Sequence, residues 1–231
     1  MSGVTVSKLS GTLAAILLVA GVGGAFGVAP RDAVQGNVQR IMYLHVPAIL
    51  TAYVAIGVVL VGSIAYLRGR QPMWDRVALA SGELAVCFIG LTLATGSIWG
   101  KPTWGAWWTW DARLTSTALL FVIYLGYLLL RSVVEDRERA ATYAAVLGIV
   151  GALDVPIIHF SVQWWRTLHQ PATVLRPQAP TMDPAMLVVL LLNVLAFLAT
   201  YAYLAGRRYR LLTLEALPSL REGHDHDRKL R

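Results

Sequence analysis

Residues 184–205 read PAMLVVLLLNVLAFLATYAYLA, a run of 22 residues without a charged side chain. About 20 apolar residues in a helix span the hydrocarbon core of a bilayer, so this run predicts a transmembrane helix. Five earlier runs are also long and apolar enough, which gives six predicted spans near residues 9–29, 47–67, 77–99, 114–130, 140–160 and 184–205. The sequence therefore predicts an all-α integral membrane protein. Residues 1–206 would form one bundle of six transmembrane helices with a tryptophan-rich external segment, and residues 207–231 a charged tail.

The composition of the whole chain agrees with this class. Of its 231 residues, 56% are hydrophobic and 14% are charged, which is typical of membrane proteins rather than soluble domains. The net charge of +7 does not indicate nucleic-acid binding, because the basic residues are scattered between apolar runs. Cys87 is the only cysteine, so the chain contains no disulfide and no CxxC pair. A cofactor would have to be held by other side chains.

The positions of Lys and Arg predict how the spans are oriented. The termini and the loops on their side contain 14 of these residues, and the loops on the other side contain 6. Without the last four basic residues of the tail, the comparison is 10 to 6. Basic loops stay in the cytoplasm, so we expect both termini there and the other loops outside.

Residues 99–116, WGKPTWGAWWTWDARLTS, contain five of the eight tryptophans and lie on the outer side in this topology. If residues 104–111 are helical, one face of the helix carries Trp104, Trp107, Trp108 and Asp111, because these residues are spaced i, i+3, i+4 and i+7. If Gly105 instead breaks that helix, Trp110 is presented in their place. Tryptophan is also enriched at membrane interfaces, but five within twelve residues exceed what anchoring requires. We therefore predict that this segment is a platform for a ligand.

Two other outer segments each supply a histidine. His45 precedes the second span, and Pro47, which suits the first turn of a helix, places it at the outer mouth of that helix. His169 follows the fifth span, in a segment that also contains Trp164 and Trp165. Trp165 and His169 are four residues apart and share a face if this segment is helical. Both histidines are thus predicted on the side of the tryptophan platform.

This combination of side chains indicates haem chemistry. Two neutral imidazoles that approach one metal from opposite sides form a ligand set that haem iron accepts, and indoles offer a large apolar surface to a flat macrocycle. Four basic side chains in the same loops are candidates to pair with propionates, namely Arg40, Lys101, Arg113 and Arg166. Zinc fits less well, because it takes three or four N or S ligands. Each histidine alone would more simply cap a helix or lie at the interface.

The same segments resemble a known family. Residues 99–116 are similar to the tryptophan-rich WWD motif of haem-handling proteins in cytochrome c assembly. YLHVPA (43–48) and HFSVQWWRTLHQP (159–171) are similar to the flanking histidine segments of the CcmC family, haem exporter protein C. The resemblance runs from about residue 29 to about residue 185. One position differs, since Pro171 stands where the family leads us to expect glycine.

The resemblance implies that His45 and His169 are the axial ligands of a non-covalently bound haem b at the outer face. The candidate residues that hold the haem are Trp99, Trp104, Trp107, Trp108, Trp110, Asp111, Arg113, Trp164 and Trp165. It also implies a bacterial inner membrane and transfer of the haem to the chaperone CcmE, with the ABC-type subunits CcmA and CcmB and the small protein CcmD as further partners.

Several alternatives stay open at this level. His159 is a second candidate for the ligand role of His169, and Asp154 is a candidate to support the site from within its span. Glu83, near the cytoplasmic end of its span, is expected to be hydrated, and residues 224–227, HDHD, to be part of a solvated tail. Nothing resembles a nucleophile with its base or a phosphate loop, so we expect a transfer protein rather than an enzyme. The alternatives are a small-molecule permease with interfacial tryptophans and a b-type membrane cytochrome.

Overall fold

The computed structural model describes residues 3–169 and 181–229. Six long helices follow one another in the chain: α1 (Gly3–Gly27), α2 (Met42–Gly69), α3 (Pro72–Trp104), α4 (Ala112–Val133), α5 (Arg137–Trp164) and α6 (Pro184–Lys229). A short 3-10 helix, Val38–Ile41, leads into α2, and the described residues contain no strand. All six helices contain segments long and apolar enough to cross a membrane. The predicted fold class, an all-α membrane protein with six spans, is confirmed.

Local signals in the sequence explain where the helices begin and end. Asp111 and Asp136 precede α4 and α5, and each accepts a hydrogen bond from a backbone N–H in the first turn, at 2.8 and 2.7 Å. Such aspartates satisfy N–H groups that have no partner within the helix. At the other end of α3, Gly105 has a φ of +79°, a conformation that side chains disfavour. The chain therefore leaves α3 at Gly105 and enters α4 at Asp111.

All six helices extend beyond their predicted spans at one end or both. α2 begins at Met42, so Pro47 is its sixth residue, and the prediction that Pro47 lies in the first turn is wrong. His45 occupies that first turn instead. α3 continues five residues past Trp99, and α6 continues from its span into the basic tail.

The bundle is built around α2, which packs against α3, α5 and α6, while α1 pairs mainly with α6 and α4 with α5. Small residues allow close approach between these helices, as is common in membranes. At Gly82 on α3, a Cβ atom would lie 2.6 Å from the ring of the fully buried Tyr127 on α4. Asn193 on α6 donates a hydrogen bond of 2.9 Å to the carbonyl of Gly21 on α1.

The two ends of the bundle differ in character. The end that carries the α2–α3 and α4–α5 connections contains ion pairs, Arg131 to Asp75 at 2.6 Å and Arg208 to Glu83 at 2.6 Å. Glu83 is therefore paired through both carboxylate oxygens, and the expectation that it is only hydrated is wrong. The opposite end contains His45, the tryptophan segment and the residues after α5.

Candidate functional site

The tryptophan segment is not one helix. α3 ends at Trp104, Gly105 adopts its left-handed conformation, and residues 106–111 form an irregular connection to α4. The interpretation of residues 104–111 as one helical face is wrong, and the alternative that Gly105 breaks the helix is confirmed. The backbone carbonyl of Trp107 accepts a hydrogen bond of 2.7 Å from Ser97, which ties the connection back to α3.

The five tryptophans divide into two groups. Trp99 and Trp104 lie on the last turns of α3 and are partly buried, whereas Trp107 and Trp110 are exposed by 57% and 83%. Trp108 meets Trp110 edge to face, with ring centroids 5.7 Å apart. The segment therefore combines indoles packed against α3 with indoles whose rings are exposed.

His45 is fixed against the C-terminal part of α3. Its Nδ1 atom lies 3.1 Å from Oγ1 of Thr95, and its ring meets Trp99 edge to face with centroids 5.8 Å apart. Trp99 is itself held, because its indole N–H donates to the side-chain oxygen of Gln35 at 2.7 Å. Gly96 leaves room for the imidazole, since a Cβ atom there would lie 3.0 Å from Cε1 of His45.

His169 reaches the same region from the other end of the sequence. α5 ends at Trp164, and residues 165–169 are not helical, so the prediction that Trp165 and His169 share a helical face is wrong. The His169 ring instead lies edge to face against Trp104, with centroids 4.8 Å apart. Its Nδ1 atom is 3.1 Å from Oδ2 of Asp111.

The two carboxylate oxygens of Asp111 contact different parts of the chain. Oδ1 accepts from the Leu114 N–H at the start of α4, and Oδ2 accepts from the Thr167 hydroxyl at 2.5 Å and contacts His169. Burial favours a raised pKa for this carboxyl, but the hydrogen bonds from Leu114, Thr167 and His169 outweigh it and hold the pKa of Asp111 below its usual value. For His169, burial lowers the pKa of the imidazole, and this effect outweighs the hydrogen bond and charge of Asp111, which raise it. An ionised Asp111 therefore faces a neutral His169 at neutral pH.

The structure thus brings together both histidines, Trp99, Trp104 and Asp111 around the C-terminal end of α3. Sequence spacing did not predict that Thr95 contacts His45 or that Asp111 contacts His169. Nothing in the sequence around Thr95 indicates its role. Asp111 could have been recognised as a helix cap, because Asp-Ala-Arg-Leu before an apolar run is a typical helix start.

The four candidate basic residues have different surroundings. Arg113 donates to the backbone carbonyls of Ile158 and His159 on α5, at 3.4 and 3.1 Å. Arg40 donates to carbonyls at the end of α1, those of Ala25 and Ala29, and Lys101 donates to the Gly105 carbonyl. Arg166 is exposed and makes no hydrogen bond or ion pair with any described residue. It is therefore the basic side chain most available to an external anion.

The end of α5 carries a second aromatic cluster. Phe160 and Trp164 are stacked with centroids 5.6 Å apart, and Trp165 meets Trp164 at 5.7 Å. The His159 ring packs edge to face on Phe160. Asp154, lower on α5, is buried, and its Oδ2 atom has no hydrogen-bond partner among the described residues. Pro171, which stands after Gln170 where the resemblance led us to expect glycine, lies outside the described residues.

The chemistry of these groups fits a flat, iron-containing macrocycle better than a simple metal ion. No three His, Cys, Asp or Glu side chains cluster as a metal site within the described residues, whereas zinc requires at least three such ligands. Two imidazoles with surrounding indoles match the needs of haem. The buried indole Nε1 of Trp108 also has no acceptor in the described part of the chain, so it can donate to an oxygen of a ligand.

Comparison with known proteins gives a consistent result. The sequence model of the family described as Heme exporter protein C matches residues 2–218. The Heme exporter protein C of Bradyrhizobium diazoefficiens is 44% identical over 187 residues, which are 80% of this chain and 71% of the relative. That of Haemophilus influenzae is 40% identical over 209 residues, 90% of this chain and 85% of the relative. A ccmC-like mitochondrial protein of cytochrome c biosynthesis from Arabidopsis thaliana is 38% identical over 195 residues, 84% and 73% of the two chains.

Proposed function

Because the chain belongs to the haem exporter protein C (CcmC) family, which handles haem in cytochrome c maturation, we propose that it binds haem b non-covalently and passes it on. The axial ligands are His45 and His169, and the tryptophan segment, residues 99–116, forms the surrounding platform. The observation that carries this proposal is the convergence of two histidines from distant parts of the sequence on the tryptophan-rich end of α3.

The surroundings of His169 are suited to iron binding. The carboxylate of Asp111 can only accept a hydrogen bond, so a neutral His169 contacts it with a protonated Nδ1. The lone pair is then on Nε2, the nitrogen available to a metal. A carboxylate behind a ligating histidine fixes the orientation of the ring and makes it a stronger ligand.

The tryptophans and basic residues have separate roles in this proposal. Trp99 and Trp104 hold the two imidazoles, and the exposed Trp107 and Trp110 contact the macrocycle. Arg166 and the indole N–H of Trp108 bind the propionates. Trp164 and Trp165 form an outer aromatic wall. Arg113 and Lys101 maintain the loops by donating to backbone carbonyls.

Delivery completes the function. The haem is presented at the outer face of the bacterial inner membrane, with both termini in the cytoplasm, and is transferred to the chaperone CcmE. The chain works in an exporter complex with CcmA, CcmB and CcmD, and a partner with a nucleotide site supplies any energy. The chain itself is a binding and transfer protein rather than an enzyme.

The test is the absorption spectrum of the full-length protein purified from haem-replete cells. We expect a low-spin spectrum with a strong Soret band in the wild type, and loss or a high-spin shift of that band in both His45→Ala and His169→Ala. His159→Ala is the matched control and should leave the spectrum unchanged. A wild-type protein without a Soret band would contradict haem binding, and unchanged spectra in both histidine variants would contradict the ligand assignment.

A further inference from the structure

The geometry points to Thr95 as a positioning residue that holds His45 as the tautomer with hydrogen on Nδ1, which leaves the Nε2 lone pair for iron. This inference rests on the proposed haem-binding function for its purpose. The tautomer itself is a property of the haem-free protein and can be measured separately.

The single hydroxyl hydrogen of Thr95 is already used within α3. Its Oγ1 atom lies 2.7 Å from the carbonyl oxygen of Leu91, one turn earlier, and 3.2 Å from that of Thr92. Carbonyl oxygens can only accept, so the threonine hydroxyl donates to them, as threonines in helices commonly do. Oγ1 then meets Nδ1 of His45 with a lone pair, and the hydrogen between them, at a distance of 3.1 Å, must come from the imidazole.

The site leaves the imidazole little freedom to turn away from this contact. The edge of the ring formed by Nδ1 and Cε1 faces Gly96, where a Cβ atom would lie 3.0 Å from Cε1 and 3.4 Å from Nδ1, closer than side chains usually pack. Trp99 packs against the ring, and Gln35 holds Trp99. Thr95 is itself only 8% exposed, so water does not readily replace its hydroxyl. The hydrogen bond to Thr95 therefore favours the tautomer with hydrogen on Nδ1.

The two proposed ligands consequently have unlike partners. His169 donates to a carboxylate, whereas His45 donates to a neutral hydroxyl. Hydrogen bonds to charged groups are roughly twice as strong as neutral ones, and stronger donation raises the basicity of the opposite nitrogen. His45 is therefore the weaker of the two ligands, and its ligation depends on a correct tautomer more than on added basicity.

The experiment compares Thr95→Val, which keeps the branched shape and removes the hydroxyl, with Thr95→Ser, which restores a hydroxyl. Thr92→Val is the matched control, because Thr92 is also buried and also donates to a carbonyl one turn earlier, at 2.8 Å. The full-length protein is purified haem-free with ¹⁵N-labelled histidine, and the His45 signals are assigned by their loss in His45→Ala. The ¹⁵N shifts give the tautomer, and the rate of haem transfer to apomyoglobin gives the rate at which haem dissociates.

We expect hydrogen on Nδ1 of His45 in the wild type, Thr92→Val and Thr95→Ser, and a mixture of tautomers in Thr95→Val. Haem should leave Thr95→Val about 10 to 100 times faster than the wild type, the usual effect of removing a partner behind a ligating histidine. Wild-type protein with the hydrogen on Nε2 would overturn the inference even if Thr95→Val did not fold. Equal tautomers and equal haem loss in Thr95→Val and the wild type would also overturn it.

The outcome for Thr95 is independent of the outcome for haem. If the wild-type protein shows the expected tautomer but never acquires a Soret band, the proposed function fails and the role of Thr95 in fixing the ring stands. If haem binds but the hydrogen is on Nε2, the function stands and this inference fails.

Discussion

At the scale of single residues, Asp111 has the most demanding position in the structure. It caps α4 with one oxygen and holds His169 with the other. Its hydrogen bonds keep the pKa of the carboxyl low in spite of burial, so the residue is a charged partner for the imidazole over the physiological range. Substitutions that keep one of its two roles can separate them.

Asp111→Asn should weaken haem binding without much loss of stability. Asparagine is as good a helix cap as aspartate, but it removes the negative charge behind His169. We expect haem to dissociate about 10 to 100 times faster, with the thermal unfolding temperature nearly unchanged. Asp111→Ala should lose the cap as well and destabilise the protein by a further ~1 kcal/mol. Equal haem retention in Asp111→Asn and the wild type would contradict the orienting role.

The residue scale also shows where sequence reasoning stops. Sequence reasoning singled out His45, His169 and the tryptophans by their residue types and by the side of the membrane predicted for them. It did not identify their polar partners, because the contact between His45 and Thr95 spans 50 positions and that between Asp111 and His169 spans 58. Such pairs depend on how α2, α3 and α4 pack, which no local spacing encodes.

At the scale of secondary structure, the end of α3 determines the site. Predicted spans ended where hydrophobicity ended, but α3 continues to Trp104 because helix formation does not require apolar residues. Gly105 then stops it, and this single glycine separates the indoles packed on α3 from those in the connection. Gly105 itself indicated that the helix could end there. The helical spacing of the tryptophans favoured a continuous helix instead.

Gly105→Ala should destabilise the protein and disturb the platform. At a φ of +79°, a side chain costs roughly 1 to 2 kcal/mol, so we expect a lower unfolding temperature and an altered Soret band. Gly23→Ala is a suitable control, because Gly23 lies within α1 with open space around its Cα and alanine stabilises a helix by about 0.5 to 1 kcal/mol relative to glycine. An unfolding temperature of Gly105→Ala at or above that of Gly23→Ala would contradict the strained turn.

At the scale of the whole molecule, the fold was largely predictable and the arrangement of its helices was not. Six apolar runs were enough to give six membrane helices, because a bilayer leaves few alternatives for their backbone. Which helices touch depends on small residues such as Gly82, which accommodates Tyr127, and on polar contacts such as that of Arg208 with Glu83. Hydropathy contains no information about these pairings.

The proposed orientation can be tested with single cysteines in a Cys87→Ser background. Arg166→Cys lies at the tryptophan end, and Glu135→Cys lies in the connection between α4 and α5 at the opposite end; both native side chains are exposed. A membrane-impermeant maleimide should label Arg166→Cys in intact spheroplasts and Glu135→Cys only after permeabilisation. The reverse pattern would mean that the site faces the cytoplasm.

Asp111 links the start of α4 to the segment that carries His169, because each of its two oxygens contacts one of them. One transmembrane helix, α4, is attached through this carboxylate to the His169 ring, while the His45 ring is carried by α2 and held against α3. The His169 ring also packs on Trp104 of α3, so Asp111 couples the start of α4 to a ring that α3 holds as well.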